Sequence, residues 1–206
     1  MTKCSVTVDI VVFTILDRSL HLLLIKRLAK PFQGRYALPG GFVLEIESVD
    51  EAATRELLEE TGVRGVYLEQ LYTFGEPKRD PRGRVITVAY YALIPPTQKL
   101  NSTTDAADAA WFAVDALPPL AFDHAKIVDY ARTRLRNKLA YTNVGFELLP
   151  EKFTLTELQS VHEAILGEAL DKRNFRRHIL QRGTLQPLQA WRQTGRKPAQ
   201  LFRFKQ

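Results

Sequence analysis

Residues 40–63 read GGFVLEIESVDEAATRELLEETGV and set seven carboxylates, Glu45, Glu47, Asp50, Glu51, Glu56, Glu59 and Glu60, against the single basic residue Arg55. Ser48 followed by Glu51 is a capping-box pattern, alanine and leucine fill the interior, and Gly62 stands where a helix stops, so Ser48–Thr61 is expected to be helical. At about 100° per residue, Val49, Ala52, Ala53 and Leu57 share an arc that should face a sheet, and Glu56, Glu59 and Glu60 project on or beside that arc. Three inward carboxylates spaced i, i+3 and i+4 repel one another and are unfavourable to bury without compensation. A divalent cation would compensate them. Oxygen ligands with no His or Cys beside them suit Mg2+ or Mn2+ better than zinc. A solvated acidic face is the bland alternative, but it would not place its acids on the apolar arc.

Outside this segment the chain of 206 residues is an ordinary globular composition, 45% hydrophobic and 25% charged, with no repeat or low-complexity tract. Strand-like runs fall at Val6–Phe13, Leu20–Lys26, Val66–Phe74 and Arg84–Ile94, rich in β-branched and aromatic residues and separated by turn formers. A second helix is expected from His124 to about Ala140, with Ile127, Ala131, Leu135 and Leu139 four apart. The single cysteine, Cys4, excludes an internal disulfide, no apolar run approaches the roughly 20 residues of a membrane span, and the first residues carry no cleavage pattern. These features point to the cytoplasm.

Charge divides the chain. The formal net charge is +6, yet residues 171–206 hold ten Lys or Arg against Asp171 alone, a net of +9, which leaves residues 1–170 at −3. Within the basic part, Thr154 and Glu157 repeat the capping-box pattern ahead of Leu158, Val161 and Ile165, with Gly167 as the stop. Asp171 is placed to cap a second helix, Lys172–Gln181, with Phe175 and Ile179 on one face and Arg173, Asn174 and Arg177 on the other. Leu188–Trp191 and Leu201–Phe204 read as a two-stranded wing with a basic tip. Lys172, Arg173, Asn174, Arg176, Arg177, Arg196 and Lys197 are the candidate DNA contacts, the helix for base edges and phosphates and the wing for sequence-independent attraction. A solubilising basic tail is the alternative reading, but capped amphipathic helices are more order than a tail needs.

The acidic segment resembles the complete signature of the Nudix family: Gly41, five residues, Glu47, seven residues, then Arg55-Glu56-Leu57-Leu58-Glu59-Glu60-Thr61-Gly62-Val63. The resemblance implies hydrolysis of a nucleoside diphosphate linked to another group. It also implies Glu56, Glu59 and Glu60 as ligands of Mg2+ or Mn2+, a backbone carbonyl from Gly41, Arg55 orienting the carboxylates, and Glu47 flanking the cluster. Glu60 is the candidate base. The stretches Tyr36-Ala37-Leu38-Pro39-Gly40-Gly41-Phe42-Val43, Lys78-Arg79-Asp80-Pro81-Arg82-Gly83-Arg84, Phe122-Asp123-His124 and Gly145-Phe146-Glu147-Leu148-Leu149-Pro150 resemble the Nudix-related transcriptional regulators, which append a winged helix. Leu44 and Ile46 depart from common hydrolases, which often carry Glu and Gly there.

The expected architecture is therefore an α/β Nudix sandwich with a mixed sheet over residues 1–145 and a winged helix over 146–206. A homodimer is expected, since paired readers suit half-site symmetry in double-stranded DNA. Arg27, Lys78, Arg79, Arg82 and Arg84 are candidates for the diphosphate or ribose groups of an ADP-ribose-type ligand, and Tyr36 and Phe42 for its adenine. No histidine forms a catalytic pattern, and His124 reads as an ordinary residue at a helix start. Two functions remain open: a regulator that binds and cleaves an ADP-ribose-type signal, or an ADP-ribose pyrophosphatase whose tail serves dimerisation.

Overall fold

The computed structural model describes residues 3–98, 100, 109–193 and 197–205. A twelve-residue strand, β1 (Ser5–Leu16), organises the first part. It is followed by β2 (Ser19–Lys26), β3 (Tyr36–Ala37), β4 (Gly40–Phe42), α1 (Val49–Thr61), β5 (Tyr67–Phe74), β6 (Val85–Leu93), β7 (Ala110–Ala113) and α2 (His124–Tyr141). The sheet runs β3-β2-β1-β6-β5, with β4 added on β1 and β7 on β2. Among the described strands β1 and β6 pair in parallel, and the other strand pairings of this sheet are antiparallel. The sheet is thus mixed, as expected. The short β3, β4 and β7 have too few residues to show a hydrophobic period and were not legible in the sequence.

Alternation along β1 sends its apolar side chains to both faces. Val8, Ile10 and Val12 meet Ala52, Ala53 and Leu57 of α1. Val11 and Phe13 meet Ile127, Ala131, Leu135 and Leu139 of α2 on the other side. The capping box of α1 forms as read: Glu51 N–H donates to Ser48 Oγ at 3.2 Å and Ser48 N–H to Glu51 Oε2 at 2.8 Å. Gly62 ends the helix in the left-handed region, φ 71°. Helix α2 is fixed to β5 by an ion pair from Lys138 to Glu69 and by Arg134 Nη2 donating to Leu71 O.

The second part contains β8 (Phe153–Thr154), α3 (Leu155–Leu166), α4 (Lys172–Gln181), β9 (Leu185–Gln193) and β10 (Pro198–Phe204). Thr154 caps α3 with its expected capping box, Gly167 closes it, and Asp171 Oδ1 accepts from Asn174 N–H at 2.8 Å at the start of α4. The wing is longer than read. Its strands form a three-stranded sheet, β8-β10-β9, because Phe153 and Thr154 pair with Phe202 and Leu201. One apolar core crosses the expected domain boundary without a break: Leu135 and Leu139 of α2 join Val144, Phe146, Phe153, Leu158, Val161, Ile165, Ile179 and Phe202. Among the described residues no helix is long and apolar enough to cross a membrane.

His162 of α3 sits at this junction, edge-on to Phe175 at 5.1 Å. Burial, aided by the Arg182 cation, pushes its imidazole down from 6.5 to about 4. The unfolded chain takes up that proton first, so this contribution is complete above about pH 6.5 and is lost as pH falls toward 4. Across that window the wild type should lose about 1–3 kcal/mol more stability than His162→Gln in urea titrations. Parallel curves would place the acid sensitivity elsewhere.

Candidate functional site

Helix α1 and strand β4 bring the acidic segment onto the edge of a cleft of about 410 Å3. Gly40 lies opposite Asp9 and Gly41 opposite Val8 in the β4–β1 pairing. Gly40 is required here, and Gly41 leaves room for a carboxylate. Gly40 has φ 150° and a Cβ there would stand 2.1 Å from Val8 O, while a Cβ on Gly41 would stand 2.1 Å from Glu56 Oε1. The Glu56 carboxylate therefore rests directly on the Gly41 backbone, where any side chain would displace it.

Arg55 gathers the acids. Its Nε and Nη2 form a fork on Glu47 at 2.9 and 2.7 Å, and its Nη1 donates to Glu56 at 2.8 Å and to Glu59 at 3.1 Å. Hydrogen bonds from Arg55, then from Leu44 N–H, hold the Glu47 carboxyl down at about 2, and the carboxylates in turn push the Arg55 guanidinium up. Glu56 is buried and its carboxyl is raised by that burial despite Arg55. Glu60 accepts from Gly40 N–H at 2.7 Å, yet burial, followed by the neighbouring Glu56 and Asp9 carboxylates, pushes it up to about 8. Glu59 corrects the expected inward arc: its side chain is 52% exposed. With the acids turned to Arg55 and to the Gly40 N–H, no three His, Cys, Asp or Glu side chains among the described residues converge as a ready metal-ligand group.

Of the seven candidate ligand-binding residues, Arg27, Phe42, Arg79 and Arg82 line the cleft with Glu60, Gly40 and Gly41. Arg27 donates from Nε to Pro31 O at 2.8 Å and lies over the Phe122 ring at 4.8 Å. Arg82 grips Asp80 and covers Phe42 at 5.0 Å and Phe122 at 5.4 Å. Phe42 is exposed at the mouth. Arg79 is buried and already paired with Asp123 at 2.7 Å and Asp9 at 3.1 Å, so it braces the cleft floor. Tyr36, Lys78 and Arg84 stand elsewhere. Tyr36 packs edge-on against Phe112 at 4.7 Å, Arg84 donates to Gly75 O at 2.6 Å, and exposed Lys78 faces a neighbouring hollow beside Phe32 and Glu76.

Sequence reading missed the polar floor of the cleft. His124 is fully buried; its Nδ1 accepts from Leu38 N–H at 2.9 Å, which leaves the proton on Nε2, 3.4 Å from Asp9 Oδ1. Burial lowers the imidazole, so it stays neutral. The available signal was Asp9 itself, a lone acid inside the apolar run VTVDIVVF.

On α4, Lys172, Arg173, Asn174 and Arg177 are exposed, and Arg177 Nη2 donates to Asn174 Oδ1 at 3.1 Å. Arg176 does not share that surface. It packs back on α3, with Nη2 3.3 Å from Thr156 Oγ1 and a buried Nε that has no partner among the described residues. Lys197 is exposed just before β10, and Arg196 lies outside the described residues.

Comparison with known proteins agrees with this division. The NUDIX domain model matches residues 6–131 and the NrtR DNA-binding winged helix domain model residues 145–204. The chain is 41% identical over 202 residues to the ADPR responsive transcriptional repressor NtrR of Acinetobacter baylyi, covering 96% of this chain and 81% of that one. It is 44% identical over 119 residues to the ADP-ribose pyrophosphatase of Methanocaldococcus jannaschii, covering 57% of this chain and 70% of that one. Shewanella oneidensis NrtR, solved with a 27mer DNA, superposes with a TM-score of 0.87 at 40% identity, covering 97% of this chain and 93% of that chain. The chain belongs to the Nudix family. Within that family it belongs with the Nudix-related regulators that carry a C-terminal winged helix.

The raised Glu60 carboxyl makes a prediction about stability. With the folded form near 8 and the reference near 4.5, the folded state holds the proton longer, and stability is lost as pH rises between those values. In chelator-treated buffer, Glu60→Gln should gain about 1–3 kcal/mol on the wild type as pH rises through that window. Equal pH slopes in chemical denaturation would show that the carboxyl is unperturbed.

Proposed function

We propose that this protein is a DNA-binding repressor whose Nudix domain binds and hydrolyses an ADP-ribose-type nucleotide. The observation that carries the reading is physical continuity. A cleft edged by a complete acidic box, with Arg27 and Arg82 on its wall, meets through its lining residue Leu38 the apolar core that also holds Ile179 of a capped helix whose outer face is basic. The repressor and pyrophosphatase relatives support the two halves separately.

The residues fit a divalent cation. Glu56 is cradled on Gly41, and Glu60 is crowded by Glu56 and Asp9 with too little positive charge beside it. Glu56, Glu59, Glu60 and the Gly41 carbonyl would hold Mg2+ or Mn2+, hard cations suited to oxygen ligands. Such a cation neutralises the diphosphate and lowers the pKa of an attacking water. Arg55 keeps the carboxylates in place, and Glu47 keeps Arg55 in place. Arg27 and Arg82 face the phosphate groups, with Phe42 and Phe122 as the apolar surface beside them. Glu60, at the edge of the cleft, is the residue we assign as proton acceptor. Arg173 and Arg177, exposed on α4, would reach into a major groove, exposed Lys197 would contact phosphate, and a homodimer in the cytoplasm would read a near-palindromic operator.

With Mg2+ or Mn2+ the protein should convert ADP-ribose to AMP and ribose 5-phosphate. Glu60→Gln or Glu59→Gln should lower kcat by about 100-fold or more, the scale of a lost acid–base group. No turnover of any nucleoside diphosphate derivative would remove the hydrolytic half of the proposal.

In gel shifts on the gene's own upstream region, Arg173→Ala or Arg177→Ala should weaken specific binding by about 1–3 kcal/mol. Arg176→Ala should act chiefly on thermal stability, since that side chain packs on α3. ADP-ribose should shift DNA affinity by roughly 5–150-fold, in the releasing direction. Equal affinity for scrambled DNA of the same length would leave the pyrophosphatase function alone.

A further inference from the structure

Helix α4 has a second face. Phe175, His178, Ile179 and Arg182, spaced i, i+3, i+4 and i+7, turn away from Arg173 and Arg177 and line an open cavity of about 260 Å3 with α2 and α3. Leu139 of α2, Leu166 of α3, and Phe175 and Ile179 of α4 make its apolar floor. Arg136 of α2, His178 of α4 and Arg182 just after α4 make its rim, and among the described residues no carboxylate lines it. Arg136 spends its Nε on Ile165 O at 2.9 Å. The Arg182 side chain makes no hydrogen bond or ion pair among the described residues; its backbone N–H alone is used, donating to His178 O.

Arg136, His178 and Arg182 are exposed around this open hollow, and no acid among the described lining residues offsets their charge. An apolar hollow with guanidinium groups on its rim is the complement of an apolar anion. Guanidinium forks match a planar carboxylate in two-point contact. The volume lies below the about 300–1,000 Å3 of sites that take drug-sized ligands, so it suits one ring and its acid group and excludes a dinucleotide-sized molecule.

We propose that this cavity is a second effector site, which takes a small aromatic carboxylate and acts on DNA binding by wedging between α2 and α4. Helix α2 makes the position consequential. Its first residue, His124, lines the nucleotide cleft, and its last turns carry Arg136 and Leu139 into this cavity. A ligand here moves the basic helix against the same rod that meets the nucleotide. The effect on DNA rests on the DNA-reading role of α4 proposed above, whereas binding of the carboxylate does not.

The test uses the full chain and para-fluorobenzoate followed by fluorine NMR, with para-fluorobenzyl alcohol as the uncharged control. Saturable binding with a dissociation constant of about 1 mM is expected, an ordinary affinity for so small a ligand. Arg182→Met should weaken it by about 10-fold, the scale of one charge-assisted contact. Leu166→Phe, which fills the chamber and spares the rim, should abolish it, and ADP-ribose should not compete directly. Absence of saturation, equal binding of the alcohol, or indifference to both substitutions overturns the site. Binding that leaves operator affinity unchanged overturns the effector role. Failure to bind DNA before any carboxylate is added counts against the repressor reading and leaves the NMR titration to decide the site.

Discussion

The contact between Glu56 and the backbone of Gly41 constrains everything around it. The carboxylate occupies the space where a Cβ on Gly41 would be, and a Cβ on Gly40 would strike Val8 O, so Gly40 lets β4 lie against β1 and Gly41 lets Glu56 lie against β4. That places α1 with its acids against the backbone and with Arg55 in reach of Glu47, Glu56 and Glu59 together. One guanidinium cannot balance Glu60 as well, because Glu60 lies on the far side, against the Gly40 N–H. The fold thus concentrates negative charge at one edge of a cleft whose other wall is Arg27 and Arg82. Opposed charges across a narrow, partly desolvated space are the arrangement that a metal-bound diphosphate satisfies.

The second constraint is the two-sidedness of β1. Its alternate residues build separate cores, and the one beneath α2 does not stop at the end of the Nudix match. Leu135 and Leu139 pack with residues of the short 3-10 helix Val144–Leu148, α3 and the wing, so the winged helix rests on the sandwich through shared hydrophobic burial. A linker would let the halves move independently. A shared core transmits displacement because packed side chains have few alternative arrangements. Helix α2 is the element common to both ends, with His124 on the cleft floor and Arg136 tied to the C-terminal end of α3.

Much of this was legible in the residues. The helix ends of α1, α3 and α4 follow from local chemistry: Ser48 with Glu51, Thr154 with Glu157, Asp171, and the glycines at 62 and 167. The four long strands carried β-branched runs bounded by turn residues, and the periodicity of Ile127, Ala131, Leu135 and Leu139 matched the buried face of α2. The inward reading of the acids held for Glu56 and Glu60. It did not hold for Glu59, which at 100° per residue falls outside the arc spanned by the buried Ala52, Ala53, Glu56, Leu57 and Thr61. Tyr36, Arg84 and Arg176 were read as ligand or DNA contacts from residue type, whereas their neighbours, Phe112, the Gly75 carbonyl and Thr156, are distant in sequence.

The sequence by itself determined the secondary elements, the uneven charge, the acidic signature and the two-part organisation, since each is set by neighbours within one or two turns of chain. Tertiary structure alone decided which polar groups share a surface. Asp9, Arg79, Asp123 and His124 form the cleft floor although they come from β1, a loop and the start of α2, and only the sheet register brings them within 3.4 Å of one another's partners. The same holds for the cavity between α2, α3 and α4, whose cationic rim draws on Arg136 and Arg182 from opposite halves of the fold. Burial, desolvation and close approach depend on residues far apart in the chain, and no local pattern encodes them.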